Sequence, residues 1–364
     1  MRKIGKQEIE DIAVGAALLG TGGGGDPYIG KLMALQAIEE NGPVTLLDID
    51  EVPEDALVVP SSMMGAPTVM LEKVPSGEEA IEVFGKLEEF LGEDIYATFP
   101  IEAGGVNSML PFALAARRGL PVVDADGMGR AFPELQMVTF YLDGIQATPA
   151  VIGDEKGNTA LLSTIDNVWT ERIARASAIQ MGGSVMNAMY SMRGKNLKDS
   201  GIAGILKLEE EIGKTIRLAK ANNVNAIQEV LKTVGGFELF RGKVTDIDRK
   251  TETGFARGTA SFEGIGDYKD EMLQLRFQNE HLLAQTDRRL LCVTPDLIAV
   301  LDAETGLPIT TEGIRYGSRC VVIGIPCHEK WRTEKGIATV GPKYFGYDVE
   351  YTPVEELVRK GETE

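Results

Sequence analysis

The chain has 364 residues, 43% hydrophobic and 25% charged, which is typical of a globular protein with a large core and two or three domains. Its net charge of −18 argues against nucleic acid and anionic membranes as partners, because both bind a basic face. With three cysteines, two histidines, no signal-like N-terminus and no apolar run near the roughly 18 residues of a membrane span, we expect a reduced, cytoplasmic protein without a histidine-rich zinc site.

The first predicted elements are two helices separated by a glycine-rich turn. Apolar residues recur at helical spacing over residues 7–20, GTGGGG interrupts them, and Asp26-Pro27 is typical of the start of a second helix. Short β-branched runs (VTLLDI, ALVVP, IYATF, LPVVDA) then alternate with helical segments at residues 77–91 and 107–118. This alternation predicts a parallel α/β sheet.

The rest of the chain has a different pattern. Residues 136–165 contain three strand-like runs (QMVTFYLDG, QATPAVIGD, NTALLSTI) that extend or edge the first sheet. Residues 201–234 predict two amphipathic helices, which either dimerise the protein or lie over its site, and strands recur after Phe237 in a pattern that favours a sandwich or barrel. We therefore predict an N-terminal parallel-sheet α/β domain over residues 1–166, and a C-terminal β-rich, barrel-like domain with a helical insertion over residues 167–364.

Polar turns follow three of the predicted parallel strands, and ligands of α/β proteins bind at such strand ends. The turns contain Ser62, Glu102, Asn107, Asp124 and Asp126. Glu102, Asp124 and Asp126 are the candidate catalytic residues, because carboxylates there can act as general bases or electrostatic stabilisers. Ser62 and Asn107 are candidate substrate-binding residues. The structural alternative is that the aspartates only stabilise ordinary turns.

Arg130 and Glu134 lie just past the third strand and join the candidate substrate-binding residues. Arg130 can hold a substrate carboxylate or carbonyl with two hydrogen bonds. Alternatively, Arg130 forms an ion pair with Asp126 or with Glu134. His281 lies in an amphipathic strand, and we expect it at the surface or at the rim of a site.

The glycine loop is the most prominent local motif of the chain. Residues Gly22, Gly23, Gly24 and Gly25 precede a predicted helix, so their N–H groups can form a cradle for an anion or oxyanion. The loop is neither a Walker motif nor a dinucleotide fingerprint, because no GK[ST] follows it and a helix precedes it. The alternative is a flexible turn between two helices.

A divalent metal ion is the one cofactor that the sequence allows for, and no organic cofactor is expected. Its candidate ligands are Glu102, Asp124 and Asp126, or Cys327 and His328. The Cys327-His328 pair can also supply a nucleophile, since basic residues lie close by. The alternative is a structural cysteine at the end of a strand.

Five motifs together resemble the S-methyl thiohydantoin desulfurase family, and the resemblance covers essentially the whole chain. They are GTGGGGDP, EAGGVNS, VDADGMGRAFPELQM, VTPDLIAVLDAETG and VGPKYFGYD. The resemblance implies an α/β domain followed by a β-rich, barrel-like domain. It also implies an enzyme that replaces the methylthio group of a five-membered ring with oxygen and releases methanethiol. Members occur beside, or fused to, hydantoinase/oxoprolinase-type proteins, which are therefore candidate partners.

The main functional hypothesis is a hydrolase that acts on a hydantoin-type or thiohydantoin-type cyclic amide by water attack at a ring carbon. Carboxylates supply the base, while the glycine loop, Asn107 and Arg130 supply hydrogen-bond donors. The first alternative is a non-catalytic partner or ligand-sensing subunit of a hydantoinase-like protein. The second is a metal-dependent hydrolase. We expect a homo-oligomer with a small-molecule ligand.

Overall fold

The computed structural model describes residues 1–65, 69, 73, 75–252 and 254–361. The helices are α1 (Lys6–Leu19), α2 (Tyr28–Asn41), α3 (Glu78–Leu91), α4 (Leu110–Arg118), α5 (Thr139–Leu142), α6 (Asn167–Gln180), α7 (Gly194–Ser200), α8 (Ile205–Asn222), α9 (Ala226–Val234), α10 (Glu334–Val340) and α11 (Val354–Gly361). Within these ranges, no helix is both long enough and apolar enough to cross a membrane.

The strands fall into two large sheets and one short pair. The strands between residues 2 and 203 are β1 (Arg2–Ile4), β2 (Val44–Leu47), β3 (Leu57–Gly65), β4 (Ala97–Pro100), β5 (Val122–Val123), β6 (Ala125–Asp126), β7 (Ala150–Gly153), β8 (Thr159–Leu162), β9 (Ser184–Ala188), β10 (Met192–Arg193) and β11 (Ile202–Ala203). Those of the last third are β12 (Phe237–Glu252), β13 (Phe255–Gly264), β14 (Met272–Gln278), β15 (Glu280–Thr286), β16 (Leu290–Val293), β17 (Leu297–Asp302) and β18 (Arg319–Ile325).

The first sheet has a parallel centre and antiparallel edges. Its order is β1-β2-β5-β4-β3-β9-β7-β8, with β10 paired beside β3. Strands β2, β5, β4 and β3 run parallel, while β9 joins β3 in the antiparallel sense. Strand β4 is buried along its whole length, as expected for a strand with both faces covered. The predicted parallel α/β sheet is confirmed.

The second sheet is antiparallel throughout and curls into a half-barrel. Its order is β16-β15-β14-β13-β12-β18-β17. Phe240, Phe262, Leu275 and Val322 belong to its own apolar core, which is distinct from the core around the first sheet. The predicted β-rich, barrel-like part of the chain is confirmed.

The two helices predicted over residues 201–234 are formed by α8 and α9, and α8 packs against α1. Two glycines allow the helix backbones to touch. A Cβ atom at Gly15 would lie 2.0 Å from the carbonyl oxygen of Glu209, and one at Gly213 would lie 2.0 Å from that of Asp11. This close crossing buries Glu209 beneath the loops that follow β4 and β6.

One predicted strand in residues 136–165 is wrong. Strands β7 and β8 account for the second and third runs, whereas the first run contains the short helix α5. Phe140 of α5 packs against Phe99 and Tyr190, with ring centroids 6.0 and 5.8 Å away. These tertiary contacts override the β-branched and aromatic composition of the run.

Candidate functional site

A cleft lies at the ends of β3 and β4, where the loops of the first sheet meet the edge of the half-barrel. Its empty volume is about 680 Å³ when the part open to solvent is counted. Methionine, isoleucine, valine, leucine and phenylalanine side chains form its apolar wall. The polar side chains that line it are Ser62, Glu102, Asn107, Glu134, Arg175, Asn279 and Glu280.

Glu102 is a buried carboxyl group in this cleft, and two hydrogen bonds fix its position. Asn107 Nδ2 donates to its Oε1 atom at 2.6 Å, and the Phe132 N–H donates to its Oε2 atom at 3.3 Å. Burial raises the pKa of Glu102 to about 7, although both hydrogen bonds and the charge of Arg130 act in the opposite direction. A carboxyl group of this kind is half-ionised near neutral pH and suited to general-base catalysis.

Asn107 holds Glu102 against the end of β3. Its Oδ1 atom accepts a hydrogen bond from the Met63 N–H at 2.8 Å, and its Nδ2 atom lies 3.4 Å from the Met63 carbonyl oxygen. Ser62 faces the same end of the strand, where its hydroxyl group donates to Asn187 Oδ1. The structure therefore brings Ser62, Glu102 and Asn107 together, as the strand-end pattern predicts.

Glu280 is the functional candidate that sequence reasoning missed. It is the first residue of β15, lines the cleft and is only 2% exposed. Its Oε2 atom has no hydrogen-bond partner within the described part of the chain. Burial raises the pKa of Glu280 well above its ordinary value and the Glu102 charge adds to this, whereas Arg130 and the Gly24 N–H lower it. Glu102 and Glu280 are called the cleft pair below.

The glycine loop, which joins α1 to α2, packs between the loops of the first sheet and the half-barrel. A Cβ atom at Gly22 would lie 2.4 Å from the His281 ring, and one at Gly23 would lie 2.0 Å from Glu280 Oε1. Gly24 and Gly25 line the cleft, while Gly22 and Gly23 face these two side chains of β15. The glycines are needed here because the loop backbone touches the side chains of the second sheet.

The expectation that His281 lies at the surface or rim is wrong. It is fully buried, its N–H donates to the Thr21 carbonyl oxygen at 2.7 Å, and its Nδ1 atom lies 3.0 Å from the carbonyl oxygen of Ile298. Burial lowers the pKa of His281 to about 4, so the ring is neutral at physiological pH. It holds the glycine loop on the half-barrel.

Asp124 and Asp126 lie behind the cleft rather than among its lining residues. Asp126 Oδ2 accepts hydrogen bonds from three backbone N–H groups, those of Ala103 (2.7 Å), Gly129 (2.7 Å) and Met128 (3.1 Å). Burial raises its pKa to about 7 against the effect of these bonds. Its carboxylate therefore organises the turns that follow β4 and β6.

Asp124 and Glu209 complete this second group, which we call the interior cluster (Asp124, Asp126 and Glu209). Asp124 Oδ1 accepts hydrogen bonds from the first N–H groups of α8, at 2.8 Å from Leu206 and 3.2 Å from Lys207. Glu209 Oε1 accepts the Ser108 hydroxyl at 2.7 Å, and its Oε2 atom has no partner among the described residues. Burial raises the pKa of both groups, that of Glu209 well above its ordinary value.

Arg130 is fully buried and bridges the two sheets. All five of its N–H donors meet protein oxygens at 2.8–3.2 Å, namely the carbonyl oxygens of Ala131, His281, Pro295 and Asp296 and the hydroxyl group of Thr21. Glu134 lines the cleft, where it accepts hydrogen bonds from Tyr344 (2.7 Å) and Gln136 (2.5 Å). Neither of the ion pairs considered for Arg130 is formed within the described ranges.

The metal-ligand candidates do not converge. Across the described residues, no group of three or more His, Cys, Asp and Glu side chains is arranged to hold a metal ion. Cys327 and His328 lie outside the cleft, where His328 accepts the Lys330 N–H at the start of a short 3₁₀ helix. Burial raises the pKa values of Cys327 and Cys320 to about 12 and that of Cys292 well above its ordinary value.

Comparison with known protein families shows which family the chain belongs to. The profile described as "S-Me-THD-like, N-terminal domain" matches residues 7–164, and the one described as "S-Me-THD-like, C-terminal domain" matches residues 165–354. The chain is a member of the S-Me-THD-like family. The fold is also that of a crystal structure of a protein from Chromobacterium violaceum, with a TM-score of 0.81 at 22% identity over 97% of this chain and 100% of that one. No curated protein matches in sequence.

In this S-Me-THD-like chain, the part that matches the C-terminal profile contributes three polar lining residues that strand-end reasoning did not select. Arg175 of α6 donates to Glu171 and to the Pro133 carbonyl oxygen, and its guanidinium lies 4.2 Å from the Phe255 ring centroid. Asn279 and Glu280 occupy the junction between β14 and β15. The available signal was the polar Asn-Glu-His sequence between two buried strands.

Proposed function

We propose that this protein is a hydrolase that acts on a thiohydantoin-type or hydantoin-type five-membered ring, with Glu102 as the base that activates water. The observation that carries the proposal is the position of Glu102. It is a buried carboxyl group in a largely apolar cleft, fixed by Asn107, with a pKa raised to about 7. The family to which the chain belongs supports a methylthio-substituted ring as the first substrate class.

The reaction replaces a carbon–sulfur bond with a carbon–oxygen bond. Water attacks the ring carbon that carries the methylthio group while Glu102 accepts one of its protons, and a tetrahedral intermediate forms. The C–S bond then breaks, sulfur leaves as methanethiol with one proton, and the ring carbon becomes a carbonyl carbon. Asn107 is a positioning residue in this scheme, since it keeps Glu102 Oε1 at the end of β3.

The charge of the cleft supports a ring with N–H donors or imine nitrogens rather than an anionic substrate. Glu102, Glu134 and Glu280 line the cleft, and Arg175 is balanced by Glu171. An S-methyl isothiourea unit in a ring offers nitrogen atoms that can accept or donate protons at carboxyl groups. The methionine and phenylalanine side chains provide an apolar wall for the ring and the methyl group.

The direct test is release of methanethiol from an S-methyl thiohydantoin, followed with a thiol-reactive dye. We expect turnover by the wild type and a loss of about 100-fold or more in kcat for Glu102→Gln, the usual range for removal of a general base. Glu79→Gln is the matched control, because Glu79 is as buried as Glu102, at 5% exposure, but lies outside the cleft. Equal activity of Glu102→Gln and the wild type would contradict the assignment.

A ligand-sensing or partner subunit of a hydantoinase-like protein is the second candidate function. The observation in its favour is a row of exposed apolar side chains at α6, with Ile165, Trp169 and Ile173 exposed by 84%, 44% and 40%. Such a subunit should bind the ring without converting it. Calorimetric binding of an S-methyl thiohydantoin without release of methanethiol would favour this function over the hydrolase.

A further inference from the structure

We propose that Glu280 is a second catalytic residue of the cleft: a carboxylic acid that is protonated in the resting protein and donates its proton to the ring nitrogen as water attacks. The inference rests on the proposed hydrolase function. It assigns the acid to a residue of the half-barrel, so that the two sheets contribute one catalytic group each.

The geometry first places Glu280 in the wall of the cleft. Its carboxyl group lies against Gly23, where only a hydrogen atom fits, and Glu102 lines the same cleft from the loop after β4. Its Oε2 atom is buried and has no partner in the described part of the protein. A buried polar atom without a partner costs free energy unless a ligand or water meets it. Glu209 also has such an oxygen, but of the two residues only Glu280 lines the cleft, where a substrate can supply the partner.

The surroundings of Glu280 also explain why it holds a proton. The nearest cation is Arg130, and all five of its N–H groups are already used by other oxygens. No ion pair of Glu280 is formed among the described residues. Glu102 lines the same cleft, and its charge makes a second negative charge on Glu280 unfavourable. The other charged side chains that line the cleft are Glu134 and Arg175.

The environments of the cleft pair therefore separate an acid from a base. Hydrogen bonds reach both carboxyl oxygens of Glu102, whereas on Glu280 the backbone N–H groups of Gly24 and Glu280 favour the charged form but Oε2 has no partner in the described part of the chain. Two carboxyl groups whose surroundings push their pKa values apart are a recurring arrangement for acid–base catalysis. The structural alternative is that Glu280 only supports the glycine loop, in which case an amide of the same shape would serve equally well.

Glu102 and Glu280 together account for every proton transfer of the proposed reaction. As the C–O bond forms, Glu102 takes one proton from water and Glu280 gives its proton to the ring nitrogen. As the C–S bond breaks, Glu102 gives its proton to the departing sulfur, and Glu280 takes back the proton of the new hydroxyl group as the carbonyl forms. The products are the oxygen-containing ring and methanethiol, and both residues return to their starting states.

The experiment compares Glu280→Gln and Glu280→Asp with the wild type by methanethiol release across a pH series, with binding of the product ring measured by calorimetry. We expect Glu280→Gln to bind the product within about threefold of the wild type but to lose about 100-fold in kcat. Its pH profile should keep the rise caused by ionisation of Glu102 and lose the fall at high pH caused by ionisation of Glu280. Glu280→Asp retains an acid and should recover part of the activity and the high-pH fall.

Glu312→Gln is the matched control, since Glu312 is another buried carboxyl group with a raised pKa but lies outside the cleft. An active wild type with Glu280→Gln within about threefold of its kcat, or with the high-pH fall retained, overturns the role of Glu280 and leaves Glu102 in place. A wild type that releases no methanethiol overturns the proposed function and this role together. If Glu280→Gln fails to fold, a folded Glu280→Asp that is inactive, or that is active without a fall at high pH, overturns the role.

Discussion

The cleft pair and the interior cluster contain the same chemical groups under similar burial, yet they face different surroundings. Both sets have raised pKa values because carboxyl groups have been removed from water. The interior cluster meets backbone N–H groups, a hydroxyl group and a helix start, while the cleft pair faces an open volume. A raised pKa alone therefore does not identify a catalytic group, and the two sets differ in whether their carboxyl groups line the cleft.

The largest effect on stability should come from the interior cluster. In Asp126→Ala, three backbone N–H groups lose their acceptor, two of them buried and that of Gly129 partly buried, and we expect the free energy of unfolding to fall by about 3 kcal/mol or more. Urea denaturation measures this loss. Asp126→Asn is the control, because its side-chain oxygen still accepts hydrogen bonds; it should retain most of the stability and most of the activity. A loss of turnover in folded Asp126→Asn equal to that in Glu102→Gln would break the distinction between the two sets.

A smaller effect should follow when the glycine loop is changed where it touches the cleft pair. The nearest atoms to a Cβ at Gly23 all belong to Glu280, so Gly23→Ala should displace that carboxyl group and destabilise the protein by about 1–3 kcal/mol. Glu280→Ala should relieve the clash, and the double variant should therefore show a favourable coupling energy in thermal unfolding.

Gly25→Ala is the comparison within the same loop, because no atom lies within 4 Å of its Cβ position and only its φ of 76° opposes the change. It should show no coupling to Glu280→Ala. Strictly additive effects of Gly23→Ala and Glu280→Ala would show that the loop and the carboxyl group are not in contact.

The smallest effect is a change in how stability depends on pH. The pKa of folded Glu209 is raised, so its contribution to stability is present below its unfolded pKa and is lost as pH rises through the folded value. Glu209→Gln keeps an acceptor for Ser108 and removes this loss. We expect it to equal the wild type in stability near pH 4 and to be more stable than the wild type near pH 8. Unfolding curves at the two pH values, with exposed Glu263→Gln as the control, measure the difference, and a parallel decline in both proteins would contradict it.

Local pattern was enough to predict much of the fold and one side of the cleft. The alternation of strands and helices indicated the parallel sheet, and the strand-end rule brought Ser62, Glu102 and Asn107 together. These features depend on residues that are close in sequence. The short helix α5 was missed because Phe140 fits between two rings supplied by distant segments.

The other side of the cleft depends on contacts that no local pattern encodes. Asp124 follows β5 as the rule requires, but the start of α8, about 80 residues later, uses its carboxylate. Glu280 enters the cleft because the half-barrel docks on the glycine loop through His281 and Thr21. Such placements follow from how the two sheets pack. In the sequence, only the polar residues at the β14–β15 junction indicated that this segment could belong to a site.

The burial of the three cysteines has a consequence for the proposed release of a thiol. A released thiol can be stored as a mixed disulfide only on a cysteine that is accessible, and exchange proceeds through a thiolate. Cys292, Cys320 and Cys327 are all buried, and their raised pKa values keep them as thiols. Under the proposed function, methanethiol released in the cleft would meet no accessible cysteine on its own protein, and repeated turnover should add no methylthio group to the mass of the chain.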